Sequence, residues 1–162
     1  MIFQITSMLD EDWEQVRQIY REGIETGQAT FETTTPEFSE WHSSHLPFGR
    51  LVARTELVVS GWAALSPVSR RAAYAGVAEA SVYVGQAFRG NGIGRGLLPA
   101  LVEESERNGI WTLQAVMFPE NEASLALHRS CGFREVGRRE RISQLNGVWR
   151  DTILLERRNG LL

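Results

Sequence analysis

Ser81-Val82-Tyr83-Val84-Gly85-Gln86-Ala87-Phe88-Arg89-Gly90-Asn91-Gly92-Ile93-Gly94-Arg95-Gly96-Leu97-Leu98 decides the fold. It reads as a buried strand, a glycine-rich turn and the first turn of a helix. Such a turn leaves several backbone N–H groups unpaired and pointing the same way. The helix dipole adds partial positive charge there, and the two together suit a phosphate or pyrophosphate. Arg89 and Arg95 flank the turn and add charge. The dinucleotide fingerprint G-x-G-x-x-G does not fit, because with Gly90, Gly92 and Gly94 the third glycine comes too soon. The Walker loop ends in Gly-Lys-Ser/Thr, and this chain contains no lysine. A plain strand-to-helix turn would need neither three alternating glycines nor two arginines.

Working outward, 162 residues predict one domain spanning 1–162. That length buries a sizeable core without disulfides or metals. The one cysteine, Cys131, leaves no intramolecular disulfide, which is compatible with a reducing, cytoplasmic location. Three scattered histidines give no zinc-ligand spacing, so no metal is expected. Net charge is −3 and the Arg138-Arg139-Glu140-Arg141 run is broken by an acid, which argues against nucleic acid as a partner. Met1-Ile2-Phe3-Gln4-Ile5 is too short for a signal peptide, and no apolar run approaches the roughly 20 residues of a membrane span.

A short strand is expected at residues 2–6. A helix follows, capped at Asp10, with Trp13, Val16, Ile19, Tyr20 and Ile24 on one apolar face. Residues 29–36 read as a loop and about 37–46 as a second helix. Strands are expected at 50–53, 57–65 and 78–84. The helix carrying Leu97, Leu98, Leu101 and Val102 ends at Asn108-Gly109. A strand at 111–117, a helix from Asn121 to near Gly132, and strands at 133–136 and 148–155 complete the chain. The order β-α-α-β-β-β-α-β-α-β-β predicts an α/β (α+β) fold, a mixed central sheet flanked by helices.

Read as Arg-x-x-Gly-x-Gly, Arg89 to Gly94 resembles the acetyl-CoA signature of the GCN5-related N-acetyltransferase superfamily, whose element order is the same. Asn121 to Phe133 resembles its second signature: an Asn that opens a helix, then Gly-Phe. The position usually held by a tyrosine, seven residues after Asn121, is His128 here. A histidine there is typical of the phosphinothricin and methionine sulfone/sulfoximine acetyltransferases. Gly27 to Thr33, Glu79 to Val84 and Gly147 to Thr152 are similar to other stretches of that branch. One motif departs: the branch often carries Arg-Pro-Arg before the strand, where this chain has Ser69-Arg70-Arg71 and matches only Arg71.

The resemblance implies the acyl-CoA N-acyltransferase fold and a detoxifying N-acetyltransferase that acts on the α-amine of a small glutamate-like amino acid. Other amines, or a non-catalytic acetyl-CoA-binding module, are the alternatives. It implies acetyl-CoA as cosubstrate, contacted by Val82, Tyr83 and Val84 and by Arg89, Gly90, Asn91, Gly92, Ile93, Gly94 and Arg95. Asn121 and Ser130 would complete that set. It also implies a homodimer. Glu79, two residues before Ser81, is the candidate base for an amine whose ordinary pKa is near 8, or else a salt-bridged strand residue. His128 is a base, a proton donor to the leaving thiolate, or a packed histidine. A backbone N–H near Val84 is the expected oxyanion donor. Phe31, Glu32, Arg71 and Tyr74 come from loops that border the acceptor site in the family. Arg71 is either a bidentate clamp for an acidic group or a solvated loop arginine.

Overall fold

The computed structural model describes residues 1–160. The chain runs β1 (Gln4–Ser7), α1 (Trp13–Glu25), α2 (Phe38–Ser44), β2 (Leu51–Thr55), β3 (Val58–Pro67), β4 (Val77–Val84), α3 (Ile93–Arg107), β5 (Thr112–Met117), α4 (Glu122–Ser130), β6 (Arg134–Leu145) and β7 (Val148–Arg158). This is the expected order. All seven strands form one mixed sheet in the order β1-β2-β3-β4-β5-β7-β6, and the β4–β5 pair is parallel.

Helices cover both faces of the sheet, and strand alternation divides its residues between them. Leu51, Ala53, Ala63 and Leu65 join Leu97, Leu98 and Leu101 of α3 in the larger core. Val52, Trp62 and Ala64 turn the other way, onto Trp13, Val16 and Ile19 of α1 and Trp41 of α2. There an aromatic column forms: Trp62 stacks on Tyr83 at 4.8 Å, and Trp41 meets Trp62 edge-on at 5.8 Å. Trp111 and Trp149, by contrast, are exposed.

Two local features differ from the sequence reading. The start of α1 is held by Asp12, not Asp10. The Asp12 carboxylate accepts from the Leu9 N–H at 2.7 Å and from both terminal nitrogens of Arg54, at 2.8 and 2.6 Å. Position 12 is buried and can reach a β2 arginine 42 residues away, which outweighs the local preference for a cap at position 10. β6 is also far longer than the expected 133–136, while β7 starts where expected and runs a few residues further. β6 and β7 form a hairpin closed by Asn146-Gly147, both at positive φ (50° and 81°). Asn-Gly is the preferred pair for such a turn. β6 is exposed along nearly its whole length, so it shows no apolar alternation to read.

The feature that makes the site is the parting of β4 from β5. They pair only at Val77–Thr112, Ala78–Leu113 and Glu79–Gln114. Beyond Glu79, β4 stays paired with β3 as far as Val84, while β5 stays paired with β7 as far as Met117. Residues 80–84 therefore turn one backbone edge toward a cleft.

Candidate active site

Two adjacent cavities fill that cleft. The larger, about 970 Å³, is a groove between the β4 edge and α4. The smaller, about 300 Å³, is lined by β4, β5, the loop after α1, and His128. Val82, Tyr83, Asn121 and Ser124 line both.

The glycine turn closes one end of the groove. Gly90 and Gly92 have φ of 79° and 80°, a conformation that favours glycine, and a Cβ on either would meet nothing within 4 Å. The first helical bond of α3 runs from the Gly96 N–H to the Gly92 carbonyl at 3.1 Å. The N–H groups of Ile93, Gly94 and Arg95 precede it at the positive end of the dipole. Arg89 and Arg95 line the same groove, as do Gly94, Val84 and Ser130. Asn91 does not; its amide donates to the carbonyls of Phe88 and Arg89 at 3.1 and 3.2 Å and shapes the turn. A free strand edge leading to a cluster of amides suits a long chain with polar amides and a pyrophosphate at one end, which is the form of acetyl-CoA.

The smaller cavity holds the candidate catalytic groups. Glu79 is half-buried, and its Oε1 accepts from Gln114 Nε2 at 2.9 Å. Its register partner across the last β4–β5 rung is thus also its side-chain partner. His128 is buried, and its ring meets Phe133 edge-on at 5.1 Å. His128 Nδ1 lies 2.8 Å from the Ser124 carbonyl. A carbonyl only accepts, so Nδ1 carries the hydrogen and Nε2 is left as the acceptor. Nε2 has no partner. Burial lowers the His128 pKa, and the bond to Ser124 offsets this only in part. Burial likewise raises the Tyr83 phenol well above its ordinary value, so it stays neutral and packs in the aromatic column.

Phe31 and Glu32 reach the smaller cavity from the loop after α1. Arg71 and Tyr74 are not brought there within this chain. They sit in the exposed segment before β4, where the Arg71 guanidinium lies 5.4 Å from the Tyr74 ring centre. No arginine lines the smaller cavity among the described residues.

Several residues of the site had no role assigned from sequence. Gln114 is one and Thr152, in the wall of the smaller cavity, is another. Arg150 is a third. It donates to the Gly27 carbonyl at 2.9 Å and to Gln28 Oε1 at 2.8 Å, and it pairs with Glu120 at 3.4 Å. Its guanidinium also lies 4.0 Å from the centre of Phe118, which Phe31 meets edge-on at 5.0 Å. Asn121 caps α4 through Ser124 N–H and donates to the Gln28 carbonyl at 3.4 Å. The loop after α1 and the loop before α4 are therefore tied together by a β7 arginine. The only local signal was an Arg within Gly147 to Thr152.

A parted strand pair, a glycine cradle at a helix start, and a half-buried acid and a buried imidazole beyond it define an acyl-CoA-dependent acyltransferase. Residues 8–133 match the Acetyltransferase (GNAT) family, and the chain belongs to it: it is an acetyl-CoA-dependent N-acetyltransferase. The chain is 33% identical over 157 residues to a phosphinothricin N-acetyltransferase of Alcaligenes faecalis, covering 91% of this chain and 78% of that one. Among solved structures it is similar to a phosphinothricin acetyltransferase from Sinorhizobium meliloti in complex with acetyl-CoA. There the TM-score is 0.89 and the identity 31%, covering 99% and 90% of the two chains. It is also similar to a ribosomal-protein-alanine N-acetyltransferase from Brucella melitensis, with TM-score 0.90 and 32% identity, covering 96% and 99%.

Proposed function

We propose that this N-acetyltransferase acts on the α-amine of a small glutamate-like amino acid with a tetrahedral side-chain head, such as phosphinothricin, methionine sulfoximine or methionine sulfone. Its role would be to detoxify inhibitors of glutamine synthetase. The observation that carries this reading is the smaller cavity: at about 300 Å³ it suits a small amine, and it holds Glu79 and His128 where the groove ends. The similarity to phosphinothricin acetyltransferases supports the same acceptor class.

In this reading bound acetyl-CoA supplies an activated thioester. Gly90 and Gly92 to Arg95 bind its pyrophosphate through backbone amides, and the 82–84 edge aligns its arm as an added strand would. Glu79, oriented by Gln114, accepts the proton that the ammonium group must lose before it attacks, directly or through a water. The Val84 N–H donates to the acetyl oxygen as charge develops there. His128 enters neutral with Nε2 free, so it acts as a proton acceptor and holds the amine or a water, rather than protonating the thiolate. Glu32 adds negative charge at the mouth of the cavity and attracts the ammonium. The homodimer implied by the family resemblance is part of the proposal; exposed Val136, Ile142, Val148 and Trp149 on the β6–β7 hairpin are apolar surface for it.

A thiol-release assay with acetyl-CoA and a panel of amines tests this. Turnover of methionine sulfone, methionine sulfoximine or phosphinothricin well above polyamines and Ala-initiated peptides is expected. The likeness to the Brucella protein favours one second reading, a protein N-terminus as acceptor. Preference for the peptides would establish it in place of the first.

A further inference from the structure

Glu79, Gln114 and Glu156 are register partners on three neighbouring strands, β4, β5 and β7. The residues beside them in sequence, Ala78, Ala80, Leu113, Ala115 and Leu155, all belong to the core under α3. Strand alternation therefore puts the three polar side chains on the opposite face, in a row spaced by about 4.8 Å from strand to strand. Two carboxylates flank one neutral amide. The outer carboxylate, Glu156, pairs with Arg134 at 3.4 Å and Arg158 at 3.1 Å. The inner one, Glu79, has no ion pair among the described residues. Its one side-chain hydrogen bond is the 2.9 Å bond that Gln114 Nε2 donates to Oε1, and Gln114 makes no other.

The residue at 114 is informative. It is half-buried in a strand, where β-branched and apolar side chains pack best, and its same-face neighbours on β5, Thr112 and Val116, are both β-branched. A glutamine there is accounted for by its amide. An apolar side chain would leave the Glu79 carboxylate free to rotate. An arginine would hold it as an ion pair and make it reluctant to take a proton, and a glutamate would repel it. A neutral amide orients the carboxylate through one oxygen without either effect. The other oxygen, Oε2, has no hydrogen bond and is not among the sealed, unpartnered atoms, so it stays accessible on a residue that lines the smaller cavity. The other titratable side chains in that wall are Glu32, Tyr83 and His128, and Gln114 is not part of it.

The rung matters as well. Glu79–Gln114 is the last pair before β4 and β5 part. Position 79 is thus the last on this face of β4 that a β5 side chain can hold directly, and the next, Ser81, has no β5 residue beside it.

We propose that Gln114 is a positioning residue for acetyl transfer. Its amide fixes the Glu79 carboxylate through Oε1, so that Oε2 takes the proton as the N–H bond of the acceptor's ammonium group, or the O–H bond of a bridging water, breaks. Its neutrality leaves the carboxylate basic enough to do so. This rests on Glu79 as the base in the function proposed above, and it holds for any amine acceptor.

The test uses the full chain, acetyl-CoA and the amine turned over fastest. Gln114→Met keeps the length of the side chain and donates nothing. Its kcat should fall about tenfold, roughly the worth of a hydrogen bond to a charged group, with the KM for acetyl-CoA unchanged. The acid limb of its kcat/KM profile should move to higher pH, because the ionised carboxylate has lost a donor. Gln114→Glu should move that limb further, since two carboxylates then share one rung. In the Glu79→Gln background, Gln114→Met should slow the enzyme no further, because Gln114 acts only through Glu79. An acid limb that stays in place in Gln114→Met, or the same loss of kcat in both backgrounds, overturns the role of Gln114 and leaves Glu79 as base. A Glu79→Gln enzyme as fast as the wild type overturns the base assignment itself, and this inference with it.

Discussion

Replacing Arg150 with alanine should raise the KM for the acceptor about tenfold while lowering kcat by less than threefold. Arg150 is not among the residues lining the 300 Å³ cavity, yet it packs on Phe118, which is, and it holds the start of the loop that carries Phe31 and Glu32 into it. Its bonds to the Gly27 carbonyl and to Gln28 come from a charged donor whose side chain is only 15% exposed. Such bonds contribute about 1.5–3 kcal/mol each at most. The contact with Phe118 adds about 0.5–1 kcal/mol. The Glu120 pair adds little, since that carboxylate is 57% exposed. Taken at the low end of these ranges, about 3 kcal/mol of tethering is therefore removed. The Asn121–Gln28 bond and the Phe31–Phe118 contact remain, so the loop is loosened and not released. If about half of that loss appears as a smaller population of the closed loop, it corresponds to about tenfold in apparent affinity. Lysine would not rescue, because a single ammonium cannot bridge both loops and cover Phe118. Steady-state kinetics with both substrates varied, together with amide exchange of residues 27–32, reads this directly. A Tm lowered by several degrees, with the acceptor KM and the exchange of 27–32 unchanged, would show that Arg150 serves stability alone and refute the reasoning.

Glu79→Gln keeps the shape and the Gln114 contact but removes the base; kcat should fall about 100-fold with little change in acetyl-CoA affinity by calorimetry, and an unchanged kcat would move proton removal to His128 or solvent. His128 and His45 are both held below the ordinary histidine pKa of 6.5, mainly by burial. Between the lowered folded value and 6.5 the unfolded chain binds more protons, so stability is full above about pH 6.5 and falls as pH drops through that window. The Tm of His128→Gln should fall less steeply there than the wild type, and parallel slopes would count against the assignment. Gly23→Ala would place a Cβ 2.7 Å from Tyr83 Cε1 and push the phenol out of its stack. A loss of about 1–3 kcal/mol in denaturant unfolding is expected, whereas wild-type stability would mean the column yields freely.

Much of the fold was legible because its decisive segments are locally consistent. The β4 strand, the glycine turn and α3 each announce themselves within a few residues. So does Asn121, a capping residue directly before a helix. What stayed hidden depends on distant partners. Arg150 acts on Gly27 and Gln28, more than 120 residues earlier, and Gln114 acts on Glu79 across a single rung. β7 is legible, but most of β6 is not, because β6 lies at the sheet edge and is wet on both faces, which removes the alternation that marks a half-buried strand. Even so, Asn146-Gly147 marks the turn between them plainly in hindsight.

The parting of β4 and β5 has a further consequence. An outer strand edge, such as those of β1 and β6, lies open to any other chain with backbone to offer. β6 meets that hazard with arginines and an irregular register between Arg139 and Ser143. The edge of residues 80–84 is interior. A foreign strand could not enter without also fitting between β4 and the pair β5–β7, beneath α4. The cleft thus admits slender, flexible molecules and refuses strands. The sheet keeps open one length of strand edge without the aggregation hazard that open strand edges usually bring.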